Sequence, residues 1–150
     1  MIKSEMSMIV RRPIDEVFEY VSDLTHSAEW QSGLLEVQRT TAGSLGIGTK
    51  YTLVRQFMGR RMEASNEFIE FVPNSKVAFK TTSGPIPLEA SYLFESTSEG
   101  TRLTSIVEMQ AEGFVKLAEP IIAAGLKREM EAAFAKLKDL LERQVTAIAS

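Results

Sequence analysis

The chain has 150 residues, 44% hydrophobic and 25% charged, which suits one domain with a hydrophobic core of its own. The absence of cysteine excludes disulfides, thiolate zinc sites and cysteine nucleophiles, and a net charge of -3 lacks the basic surplus of a nucleic-acid binder. No apolar run approaches the roughly 20 residues that span a bilayer, and Met1-Ile2-Lys3-Ser4-Glu5 carries no apolar signal-peptide core, so the expectation is a cytoplasmic protein with no integral membrane segment.

Met6, Met8 and Val10 alternate with Glu5 and Ser7, which is a strand period. Pro13 stands where a first helical residue belongs, its missing N–H costing nothing there. Ile14, Val17, Phe18 and Val21 follow at i, i+3, i+4 and i+7, and Asp15 and Glu16 sit where the helix dipole favours negative charge. This helix is expected to end near Ser22 or Asp23. Thr25 is the expected cap of a short second helix reaching about Trp30, closed by Gly33.

From Leu34 onward the pattern is β. A short strand over 35–40 precedes a loop with Gly43, Gly46 and Gly48. Strands follow over 50–58 and 61–72 around a Gly59-Arg60 turn, where glycine first in a two-residue loop suits type II′. Pro73-Asn74-Ser75 turns into a strand over 76–82, and Gly84-Pro85-Ile86-Pro87 is a stiff connection. A last hairpin over 88–97 and 101–111 turns around Glu99-Gly100. The tail over 114–145 reads as helix, about 48 Å long at 1.5 Å per residue. Its apolar stripe is Leu117, Ile121, Met130, Phe134, Leu137, Leu141 and Val145, supported by Ile122, Leu126 and Leu140. Pro120 is expected to kink it near Lys116 or to divide it in two.

A strand, two short helices, five or six more strands and a long helix make an α+β fold. Consecutive hairpins make an antiparallel meander of six to seven strands in all. Such a sheet needs a cover for its apolar face, and the C-terminal helix is the one element long enough. If the curved sheet wraps around that helix, space between them can hold a small ligand.

The Arg12-Pro13-Ile14-Asp15-Glu16-Val17-Phe18 opening, Trp30, Gly46-Ile47-Gly48-Thr49 and Glu67-Phe68-Ile69-Glu70-Phe71-Val72-Pro73 resemble the polyketide cyclase/dehydrase and START-like (SRPBCC, helix-grip) superfamily. So do Thr81-Thr82-Ser83-Gly84-Pro85, Gly100-Thr101-Arg102-Leu103-Thr104, Glu119-Pro120 and Leu137-Lys138-Asp139-Leu140-Leu141-Glu142. The resemblance covers nearly the whole chain. It implies a helix-grip fold with a deep internal cavity, in a superfamily of lipid and hormone carriers and aromatase/cyclases. The motifs are mostly turns, strand starts and core positions, so they carry little chemistry.

Strand alternation puts Tyr51, Leu53, Arg55 and Phe57 on one face, Val77, Phe79 and Thr81 on another, and likewise Ala90, Tyr92 and Phe94, and Leu103, Ser105, Val107 and Met109. These are packing residues or, as a set, the wall of an apolar pocket. The candidate ligand-binding residues are Trp30, Tyr51, Leu53, Arg55, Phe57, Phe68, Phe79, Tyr92, Phe94, Val107, Met130 and Phe134. Arg55 either faces water in another register or points inward, as half of an internal ion pair with Glu67 or another carboxylate or as an anchor for a ligand carboxylate or phenolate. Of Asn66 and Glu67, one points inward; an outward Glu67 is an ordinary solvated residue and an inward one a general base. Tyr92 either satisfies a core acceptor or donates to a ligand carbonyl. Trp30 is a core plug or a wall of the cavity mouth. His26, the lone histidine, reads as a surface residue at a helix start, with no Gly-x-Ser-x-Gly elbow to serve. One histidine among scattered carboxylates points to no metal and no cofactor.

Three functions stay open. The first is binding or transport of a small hydrophobic or aromatic molecule, such as a lipid or polyketide-like compound, as a monomer or a homodimer. The second is a cyclase or dehydratase using Arg55, Glu67 and Tyr92 as acid/base groups in the same cavity. The third is an interaction module whose core is filled by its own side chains.

Overall fold

The computed structural model describes residues 2–57, 59–110 and 114–149, and of these the side chains of residues 57, 114, 115 and 144–149 lie outside the described set. Strand β1 (Ile2–Val10) is followed by helix α1 (Ile14–Ser22) and a 3-10 helix (Leu24–Glu29). Then come β2 (Leu34–Arg39), β3 (Lys50–Phe57), β4 (Arg60–Val72), β5 (Lys76–Ser83), β6 (Leu88–Thr97) and β7 (Gly100–Met109). Two helical pieces close the chain, α2 (Phe114–Leu117) and α3 (Glu119–Ala149). The seven strands form one curled antiparallel sheet in the order β1-β7-β6-β5-β4-β3-β2, with the first strand beside the last. This is the expected α+β helix-grip architecture.

The inner face of the sheet follows period two. Val10, Tyr51, Phe68, Val77, Phe79, Tyr92, Phe94 and Leu103 are buried in one cluster with Val17, Phe18 and Val21 of α1 and Phe134, Leu137 and Leu141 of α3. A β-bulge between Phe68 and Glu70 advances the strand by one residue, so Phe71 also turns inward, its ring tilted against Phe68 at 5.7 Å. Among the described residues, no helix is long and apolar enough to cross a membrane.

Four local expectations change. The 3-10 helix is capped by Asp23, whose carboxylate accepts from Thr25 N at 3.1 Å and Thr25 Oγ1 at 2.8 Å; Thr25 is a donor to the cap rather than the cap. Phe57 pairs with Arg60, so Gly59, with φ of 79°, is the second loop residue and not the first; Met58 lies outside the described residues. Thr97 pairs with Gly100, which centres the last hairpin on Ser98-Glu99; Ala111, its expected end, is also outside the described residues.

The fourth change is in the tail. Leu117 and Ile121 are 86% and 62% exposed, not on the buried stripe. The chain breaks between α2 and α3, and Pro120 is the second residue of the new helix, where its missing N–H is tolerated. Leu117 lies before the break, and within α3 Ile121 is nine residues from Met130, half a turn off its face, so Ile122 and Leu126 carry the inner face instead. Val145 has its side chain outside the described set.

Candidate functional site

The sheet is longer than α1 can fill, and this divides each inner row of side chains in two. At one end Tyr51, Phe68, Phe94 and Leu103 belong to the cluster that holds α1, with Phe94 edge-on to Phe18 at 5.0 Å, and none of the four lines the cavity. Toward the other end the rows continue as Leu53 and Arg55, then Ala64 and Met62, Ala90 and Leu88, and Val107 and Met109. There the sheet and α3 border a partly open cavity of about 170 Å³. That is roughly ten times the 10–15 Å³ needed to hold one water.

Of the twelve candidate residues, eight line this cavity: Trp30, Leu53, Arg55, Phe79, Tyr92, Val107, Met130 and Phe134. Tyr51, Phe68 and Phe94 lie in the filled half; Tyr51 is fully buried, stacks edge-on against Phe68 and donates its hydroxyl to Asp23 Oδ1 at 3.3 Å. The side chain of Phe57 is outside the described set. Trp30, at the end of the 3-10 helix, is 2% exposed and leans on Tyr92 and Phe134, with ring centroids at 6.3 and 6.4 Å. Tyr92 and Phe134 come from opposite walls, the sheet and α3, so Trp30 bridges them.

The polar groups gather mostly at one side. Arg55 faces the cavity and donates from Nη2 to Gln31 Oε1 at 2.9 Å. Gln31 and Tyr92 line the same cavity, and Gln31 favours the ionised form of the Tyr92 hydroxyl. No carboxylate among the described residues is in ion-pair contact with Arg55. Glu129 of α3 lines the same space, and its charge acts on Arg55. Burial lowers the guanidinium pKa, with Glu129 and then Tyr92 pulling it back, yet an arginine of this kind stays protonated near neutrality. Burial pushes the Glu129 carboxyl above the usual range, opposed by Arg55. Burial likewise takes the Tyr92 hydroxyl up to about 12, so it is a donor at neutral pH.

Two polar atoms of cavity-lining residues have no hydrogen-bond partner among the described residues, Trp30 Nε1 and Asn66 Oδ1. Asn66 is the inward residue of the Asn66/Glu67 pair. Glu67 lies opposite Lys50 and Lys80 and away from the cavity, so the pairing of Glu67 with Arg55 does not form. His26 sits outside the cavity, its Nδ1 at 2.9 Å from Tyr20 O and its ring stacked on Tyr20 at 4.6 Å.

Gln31 and Glu129 are the members that sequence reasoning missed. Glu129 follows Leu126 by three residues and precedes Ala133 by four, so it shares their helical face. A charge on that stripe was the available signal. Gln31 adjoins Trp30 but lies in no periodic element, and nothing local marks it.

The arrangement holds an apolar body between sheet and helix and offers one cation, one phenol and an amide to its polar end. Comparisons with known proteins agree in fold. No match was found among curated proteins. Solved structures align over nearly their whole length: a protein of Thermus thermophilus (TM-score 0.81, 17% identity, 99% of each chain). Others are a START superfamily protein of Mycobacterium smegmatis (0.81, 11%, 96% of this chain and 99% of that one) and an aromatase/cyclase of a Streptomyces species (0.78, 16%, 95% and 94%). At these identities the likeness is one of fold. The family model described as polyketide cyclase / dehydrase and lipid transport matches residues 1–142. The chain therefore belongs to the polyketide cyclase/dehydrase and lipid transport family.

Proposed function

We propose that the chain binds a small, mostly apolar or aromatic molecule whose acceptor-bearing end docks at Arg55. The observation that carries this is the cavity itself, walled by aromatic and aliphatic side chains, with one cation directed into it and, among the described residues, no carboxylate in ion-pair contact with that cation. Gln31 and the more distant Glu129 compensate the buried charge only in part, and a ligand carboxylate, phenolate or carbonyl offsets the rest of its cost. The internal space speaks against the filled-core interaction module.

A second reading draws on the same polar end. Arg55, Tyr92 and Glu129, the last with a raised pKa, are the kind of groups that orient a polyketone and move protons in a cyclase or dehydratase. A carrier returns its ligand unchanged, and turnover separates the two.

The test is titration with anilinonaphthalene sulfonate, an apolar aromatic anion that fluoresces when dry. The expected result is saturable, enhanced fluorescence with energy transfer from Trp30. Arg55→Met is expected to weaken binding about tenfold or more, the worth of a charge-assisted hydrogen bond. Equal binding by both proteins, or none by either, contradicts the proposal.

A further inference from the structure

The inner wall carries a second polar feature that the Arg55 end does not explain. Asn66 is only 5% exposed, its Oδ1 has no hydrogen-bond partner, and its side chain makes no hydrogen bond to any described residue. Its neighbours are committed elsewhere. Tyr51, directly opposite on β3, donates to Asp23, and Thr81, opposite on β5, accepts from Leu88 N at 3.2 Å. Asn66 keeps the period-two inward direction of Phe68 and Ala64, and it stands where the filled half of the sheet meets the cavity. The register shift beside it leaves the extra residue, Thr82, on β5.

The sheet register places this amide relative to Arg55. Arg55 pairs with Met62, four residues before Asn66 on β4. At about 3.3 Å per residue the two positions are roughly 13 Å apart along the sheet. Between them the wall is Leu53 and Ala64, with Met130 and Phe134 across on α3. The cavity thus has a cationic end and an amide end joined by an apolar middle.

We infer that Asn66 is a specificity residue that reads a hydroxyl at the end of the ligand remote from Arg55, so that the site selects hydroxylated aromatic acids or their phenolic equivalents. This rests on the proposed binding role and deepens it. A hydroxyl both donates and accepts, so it satisfies either face of the amide. An aromatic body spans the apolar middle with little entropy to lose, and the acid meets Arg55.

The experiment compares 6-hydroxy-2-naphthoate with 2-naphthoate by calorimetry, in the wild type and in Asn66→Leu. The wild type is expected to prefer the hydroxy acid about tenfold, the usual worth of a satisfied buried hydrogen bond. Asn66→Leu is expected to lose that preference while holding 2-naphthoate within about threefold of the wild type, since the Arg55 end is intact. The thermal midpoint gives a readout that a structural role would move the other way. Removing an unpaired amide for an apolar side chain of similar size raises the midpoint of the ligand-free protein if Asn66 serves a ligand, and lowers it if Asn66 holds the fold. Equal affinities of the two acids in the wild type, or a preference that survives in Asn66→Leu, overturn the inference. If neither acid binds while anilinonaphthalene sulfonate does, the inference fails and the binding role stands. If that dye does not bind either, both fall.

Discussion

Asp23 shows how much one side chain can hold in place. Its carboxylate accepts from the backbone and hydroxyl of Thr25 and from the Tyr51 hydroxyl, tying the 3-10 helix to the filled end of the sheet. Burial works against its charge, but the Thr25 bonds, the nearby His26 and the Tyr51 bond outweigh it and hold the carboxyl below its ordinary value. A carboxyl depressed in the folded state stabilises the protein above its unfolded pKa, and that stabilisation is lost as pH falls through the folded value. Asp23→Ala is therefore expected to cost about 1–2 kcal/mol at neutral pH, in line with other helix caps. Urea titrations at falling pH should show the gap to the wild type narrow once the carboxyl protonates. A gap unchanged with pH would mean that the charge contributes nothing.

Among the elements, the strands were the most legible in the sequence. Period-two runs from Tyr51 to Met109 have their inner residues where alternation put them, because one face of the sheet is buried and the other is not. The turns were less so. Pairing register, not glycine position alone, decides which residues form the loop, so the hairpins at Gly59 and Gly100 each moved by one residue. The tail misled at two residues: Leu117 lies before the break, in α2, and Ile121, within α3, is nine residues from Met130 and so half a turn off its face.

Gly100 ties two elements together. Its φ is 144°, and a Cβ there would lie 2.1 Å from Val10 O at the end of β1. Gly100→Ala must part the β6–β7 hairpin from β1 as well as adopt a backbone that L side chains rarely take. The expected loss is more than about 1 kcal/mol in urea unfolding. Stability equal to the wild type would show that the β1 corner yields freely.

Across the whole molecule, the cavity follows from a mismatch of lengths. The inner rows of the sheet run past the reach of α1, and α3 covers the remainder without filling it. Sequence alternation identified the rows but had no access to where packing stops. This is why Tyr51, Phe68 and Phe94 were grouped with the cavity residues although they belong to the cluster that holds α1. The polar end was half legible. Arg55 stood out as a cation in an apolar row, whereas Gln31 bonds it from a distant loop and Glu129 faces the same cavity from α3, a juxtaposition only the tertiary fold creates. The family description names polyketide cyclases and lipid transport, and under the proposed function the Arg55 end selects a ligand bearing acceptors.

The most direct measurement is native mass spectrometry of the purified wild type beside Arg55→Met, with solvent extraction of whatever is bound. The account predicts a stoichiometric mass shift in the wild type from an apolar, oxygen-bearing small molecule, reduced or lost in the variant. A bound molecule retained equally by the variant, or a wild type that carries none and takes up no aromatic anion when offered it, would contradict it.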